Sequence, residues 1–182
     1  MVPIEAVAVL LWLAFGLVGL VRKFPVELGA SIGLVAMLFM LQLAGDGIGK
    51  VAVRLGTISG SDAPDSVVRW LAYSAIILAW VCFMYGGQTL SFAGRWPPNR
   101  FVGPFFDVLV GLVNGWIVVG TWWHVTDDLG YPIQHWALYH PPVSSRALEL
   151  LALTPQAIIP ESYATMILGG FLVLLIALRV FR

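Results

Sequence analysis

Residues 104–123, PFFDVLVGLVNGWIVVGTWW, form an apolar run long enough to cross a bilayer, yet Asp107 and Asn114 sit among its aliphatic side chains. At about 1.5 Å of rise per residue, roughly 20 residues match a hydrocarbon layer about 30 Å thick. Asp107, Gly111, Asn114 and Gly115 recur at helical spacing, which gathers them on one side of a helix. A carboxylate facing lipid is costly, so that side must meet protein or a water-filled space.

The other segments fit the same environment. Of the 182 residues only 11% are charged, whereas soluble domains carry about 25%, and the mean hydropathy is +0.89. Ten Lys and Arg balance ten Asp and Glu, leaving no basic excess from which nucleic-acid binding would follow. Cys82 is the lone cysteine, which excludes an internal disulfide and a cysteine-built metal site. The expected fold class is all-α: a polytopic transmembrane helical protein of about five spans, or of four with one segment re-entrant or interfacial, forming a single domain over residues 1–182.

The first span is expected over residues 4–21 and stops at Arg22-Lys23. Glu5 stands where a leader would be positive, and Phe24-Pro25-Val26 where it would carry small residues, so this run reads as a retained span. Pro25 suits the first turn of a second helix, running to about residue 43. Residues 45–58 either extend that helix or lie at the interface, and residues 59–65 read as a loop. Asp65 or Ser66 is the expected N-cap of a third span over residues 67–90. A double-proline connection at 94–103 leads into the fourth span. Residues 125–160 are expected to form an outer interfacial segment with a short helix at 144–153, before a final span over 161–180. Trp70, Trp122, Trp123 and Trp136 fall at the expected outer boundary and Trp96 at the inner one, as in an aromatic belt. Trp12, Trp80 and Trp116 lie deeper, where lipid, protein or pigment contact are all open.

Charge sets an expected orientation. With five spans, Arg22, Lys23, Arg95, Arg100, Arg179 and Arg182 share one side, while the other carries more acids than bases. The positive-inside rule then places the N-terminus outside and the C-terminus in the cytoplasm of a bacterial inner membrane.

Three groups of residues carry candidate chemistry. Asp107 and Asn114 either line a conducting or substrate-contacting cavity or form a packing seam, with Asp107 paired to Arg95, Arg100 or Arg22 and with Gly111 and Gly115 admitting a neighbouring helix. Glu27 stands in the first turn of the second span, where a helix N-terminus favours a carboxylate and where Arg22 and Lys23 are near enough to pair with it. Ser31 and Gln42 share roughly its face. His124, His135 and His140, with Asp127 and Asp128, match no compact metal motif and read as interfacial residues. No nucleophile elbow, phosphate loop or other catalytic or cofactor pattern is present, so neither an enzyme nor a cofactor is expected.

Arg22, Phe24 and Glu27 carry a resemblance to the start of the colicin V production protein family (CvpA), which tends to show arginine-glycine-phenylalanine with a glutamate three residues later; Lys23 stands at the glycine. Asp107, Gly111 and Gly115 resemble that family's aspartate and spaced glycines in its fourth helix, with Val108 where arginine is frequent. The resemblance covers residues 4–120 in arrangement. It implies a small inner-membrane protein linked to peptide-toxin export and envelope homeostasis, without an agreed catalytic chemistry. The expected function is accordingly an envelope-maintenance or secretion-related scaffold that contacts lipid and assembles with itself or other membrane proteins. The alternatives are an accessory subunit of a respiratory or photosynthetic complex, and a small channel or transporter using Glu27 and Asp107.

Overall fold

A computed structural model of the chain describes residues 2–86, 102–132, 139–142 and 144–180. Arg95, Trp96, Arg100, His135, Trp136 and Arg182 lie outside the described residues. The elements are α1 (Ile4–Arg22), α2 (Phe24–Ile58), α3 (Asp65–Gly86), α4 (Gly103–Asp128), α5 (Ser145–Ala152), α6 (Pro155–Ile158) and α7 (Glu161–Val180). Two short strands, β1 (Val2–Pro3) and β2 (Tyr139–His140), pair in parallel and hold the start of the described chain against the segment after α4. Helices α1 to α4 are each long and apolar enough to cross a membrane, and α7 is apolar over the shorter stretch Glu161–Ala177. The protein is thus helical throughout its body, with several membrane-spanning helices.

Helix α2 is longer than a single span. It runs unbroken for 35 residues, about 52 Å at the standard rise, past the glycines at 45, 47 and 49. Those glycines serve a neighbour instead of ending the helix: the Tyr73 hydroxyl of α3 donates to the Gly45 carbonyl at 2.7 Å. A Cβ on Gly49 would sit 3.0 Å from the same hydroxyl. The chain then turns at Gly60, whose φ of 72° suits glycine. Asp65 is the first helical residue of α3.

Helices α2 and α4 make the centre of the bundle. Helix α4 touches α1, α2 and α3, while α7 packs on α2. One core gathers Leu34, Met37 and Leu38 of α2 with Ile77 of α3, Ile117 of α4 and Leu168 and Leu175 of α7. A second gathers Ile4 and Ala8 of α1 with Trp70, Val119, Trp123, Tyr131 and Ala147. Trp70 and Trp123 are therefore buried in protein, unlike residues of an aromatic belt, and their indoles donate to Thr126 and Tyr131.

The deeper tryptophans tie helix to backbone. Trp12 donates to the Leu112 carbonyl at 2.6 Å and Trp80 to that of Gly33 at 2.8 Å. Trp116 donates at 2.7 Å to the Leu153 carbonyl, in the turn between α5 and α6. Pro155 lies so near Gly120 that a Cβ there would be 2.7 Å from its Cδ. That turn consequently reaches down the flank of α4 to Trp116, about 10 Å of helix rise below Trp123.

Apolar contact alone holds helices together weakly in lipid, because acyl chains are as apolar as leucine; close packing and polar ties decide. The closest packing joins α1 and α4. A Cβ on Gly19 would collide with the Asp107 carbonyl, and one on Gly111 with the Phe15 carbonyl. A Cβ on Gly115 would stand 2.6 Å from that of Phe15.

Candidate functional site

The joint between α1 and α2 is one residue long. Lys23 has φ 72° and ψ 149°, a backbone conformation that L side chains rarely adopt, and Pro25 opens α2 just beyond it. Lys23 supplies no side-chain cap to α2. The first amide of α2 is instead served from another helix: Phe24 N donates to Asp107 Oδ1 of α4 at 2.6 Å. Lys23 Nζ lies 3.3 Å from Asp107 Oδ2, its side chain 62% exposed against 7% for the aspartate. Asp107 thus acts as an N-cap in trans, with a lysine closing the pair.

One turn into α2, Glu27 is wholly buried. Its Oε2 accepts from Tyr85 Oη of α3 at 2.9 Å and from Asn114 Nδ2 of α4 at 2.8 Å. Asn114 Nδ2 also lies 3.0 Å from the Glu27 carbonyl, and the Ser31 hydroxyl donates to Asn114 Oδ1 at 2.6 Å. Arg22 at the end of α1 faces Glu27 Oε1 as an ion pair at 3.2 Å, without hydrogen-bond alignment. Its guanidinium lies 4.4 Å from the centre of the Tyr85 ring, a cation–π contact, and its other arm points to the Met84 carbonyl at 3.4 Å. Side chains from α1, α2, α3 and α4 therefore converge on one carboxylate.

The candidates read from sequence separate into two adjoining clusters. Arg22, Glu27 and Asn114 meet in the first; Lys23 and Asp107 meet in the second, with Gly111 and Gly115 at the α1 contact beside it. Arg22 goes to Glu27 and not to Asp107, while Arg95 and Arg100 lie outside the described residues. Thr121 turns back to its own helix at the Ile117 carbonyl. Tyr85 is the member of the cluster that sequence does not assign to a site; its signal is a phenol in an apolar helix, which needs a partner when buried. His124 pairs with Asp128 at 3.4 Å and reaches Thr154. Among the described residues no His, Cys, Asp and Glu group could hold a metal ion.

A separate cleft of about 600 Å³ lies at the other end of the bundle, between α2, α3, the end of α4 and the start of α7. Gln42 opens into it, away from the Glu27 cluster. Chemically, the Glu27 and Asp107 clusters tie helices to one another through charge-assisted bonds in a low-dielectric interior, where each bond is strong and each broken partner is costly. No protein-family model, curated protein or solved structure matches the chain. Its architecture is that of a small polytopic helical membrane protein.

Proposed function

We propose that the protein is a scaffold of the bacterial cytoplasmic membrane, akin to the CvpA family, that serves envelope maintenance or secretion by assembling with copies of itself or with other membrane proteins. The observation that carries this reading is the use of both intramembrane carboxylates as helix ties: Glu27 and Asp107 each meet partners from neighbouring helices. A channel would call for such groups to face a path. The positive φ of Lys23 adds support to the likeness, because that family tends to carry glycine at this position. A fifth span over α7 accords with the burial of Leu168 and Leu175 against α2, and the positive-inside rule puts the Arg22 end in the cytoplasm. Catalysis has no part in this reading.

The far half of α2 favours a partnered protein. Val51, Leu55 and Ile58 are 58%, 60% and 74% exposed on a portion of the helix beyond the length of one span. Such an apolar stripe outside the hydrocarbon marks a surface for protein contact. An accessory subunit of a larger complex would use the same stripe. Extraction in mild detergent followed by mass measurement tests the scaffold: self-assembly or variable co-purifying membrane proteins are expected. A monomer without partners, or lost ion conductance in Glu27→Gln with assembly unchanged, would overturn it; one fixed set of partners would establish the accessory-subunit reading.

A further inference from the structure

The cleft at the end of the bundle remote from Glu27 has a lining graded by depth. Its floor is made by Leu38 of α2 with Ala164 and Leu168 of α7. Two to three turns further toward the end of the bundle stand Asp46 of α2, Glu161 of α7, Asp128 of α4 and Arg69 of α3, the last beside Gly49. Going outward along α2 leads from Leu38 to Asp46, and going inward along α7 leads from Glu161 to Leu168, so both helices pass from polar to apolar at matching levels. The register of α2 against α4, fixed by Ser31 and Asn114, sets Leu38 level with Thr121, about 21 Å of rise from the start of α2 at Phe24 and so within one span length. The floor therefore lies in the acyl region and the rim among headgroups.

Two buried polar atoms at this cleft lack a partner among the described residues: Arg69 Nε and Gln156 Oε1. A buried donor without an acceptor is costly, and an arginine fork suits phosphate. The rim is otherwise acidic, with three carboxylates against one arginine and His124, which is paired with Asp128. A ligand matching this lining carries a phosphate for Arg69, an ammonium for the carboxylates and an apolar tail for the floor. A simple anion would be repelled by the carboxylates, and a simple cation would leave Arg69 unserved.

We propose that this cleft binds a phospholipid with a zwitterionic phosphoethanolamine headgroup, its phosphate at Arg69, its ammonium at Asp46 and Glu161, and an acyl chain over Leu38 and Leu168. The geometry concerns a face distinct from the Glu27 and Asp107 clusters, so the binding stands independently of the scaffold reading.

Native mass spectrometry of the delipidated full chain, offered equimolar phosphatidylethanolamine and phosphatidylglycerol in detergent, tests it. The wild type is expected to retain the ethanolamine lipid at least about fivefold over the glycerol lipid, and over diacylglycerol by more. Arg69→Gln and Asp46→Asn are expected to abolish that preference, while Leu10→Ala, on the exposed face of α1, keeps it. Equal retention of the two phospholipids by the wild type would overturn the proposal, whether or not the variants fold. So would retention of diacylglycerol as strong as that of the ethanolamine lipid, or an undiminished preference in folded Arg69→Gln and Asp46→Asn.

Discussion

Asp107 of α4 accepts the Phe24 amide at 2.6 Å, so the start of one spanning helix is capped by the side chain of another. Removing that acceptor strands an amide that no side chain of α2 itself serves. Asp107→Ala is expected to cost about 2 kcal/mol, the upper end for a lost cap. Asp107→Asn, which still accepts, should lose less than half of that. Thermal unfolding in detergent, followed by tryptophan fluorescence, checks the order.

Glu27 is the acceptor on which four helices meet, and truncating it leaves Arg22, Tyr85 and Asn114 facing an unfilled polar pocket. Glu27→Ala is expected to destabilise by about 3–5 kcal/mol, as for a buried pair stripped of one partner. Glu27→Gln keeps an accepting oxygen and should lie between that variant and the wild type. A double-mutant cycle with Asn114→Ala should give a coupling of about 0.5–3 kcal/mol, and additivity would show that the two act separately.

Gly111 faces the Phe15 carbonyl with no room for a methyl group. Gly111→Ala must push α1 from α4 and is expected to cost about 1–3 kcal/mol. Gly47, with nothing within 4 Å of an added Cβ, is its matched control. There alanine should stabilise by up to about 1 kcal/mol through helix propensity. Equal effects at the two sites would contradict the α1–α4 seam.

Lys23 holds a strained backbone and an ion pair in which the lysine is exposed and Asp107 is buried. The strain is worth about 1–3 kcal/mol, and a pair whose cation stays in water about 1 kcal/mol. Glycine also adds freedom to the unfolded chain, by about 0.4–1 kcal/mol. Lys23→Gly is expected to raise stability by about 1 kcal/mol, and Lys23→Ala, which loses the pair and keeps the strain, to lower it. Unfolding midpoints of the two variants should therefore move in opposite directions.

The helices were legible in sequence where apolar length and proline punctuation agree. The final helix spans residues 161–180 as expected, and Ser144 caps the short helix through the Ala147 amide. The continuity of α2 was one of two readings open in sequence, because GDGIG carries turn residues whose role depends on Tyr73 arriving from α3. The partners of the carboxylates were half legible. Arg22 follows from adjacency to Glu27, but Tyr85 and Asn114 are 58 and 87 residues away along the chain. Only packing brings them in. Lys23 as the partner of Asp107 was hidden in the same way, since the nearest reading assigned that lysine to Glu27. The descent of the α5–α6 turn along α4 escaped notice because interfacial and inserted segments share a composition.

Because α2 is one continuous rod, the lipid cleft and the four-helix junction are opposite ends of a single lever. Asp46 and Glu27 are separated by about 28 Å of helix rise. A tilt of about 5° at one end displaces the other by about 2.5 Å, a shift comparable to the length of a hydrogen bond. Whatever presses on the projecting tip of this helix is felt at the bonds that Glu27 makes.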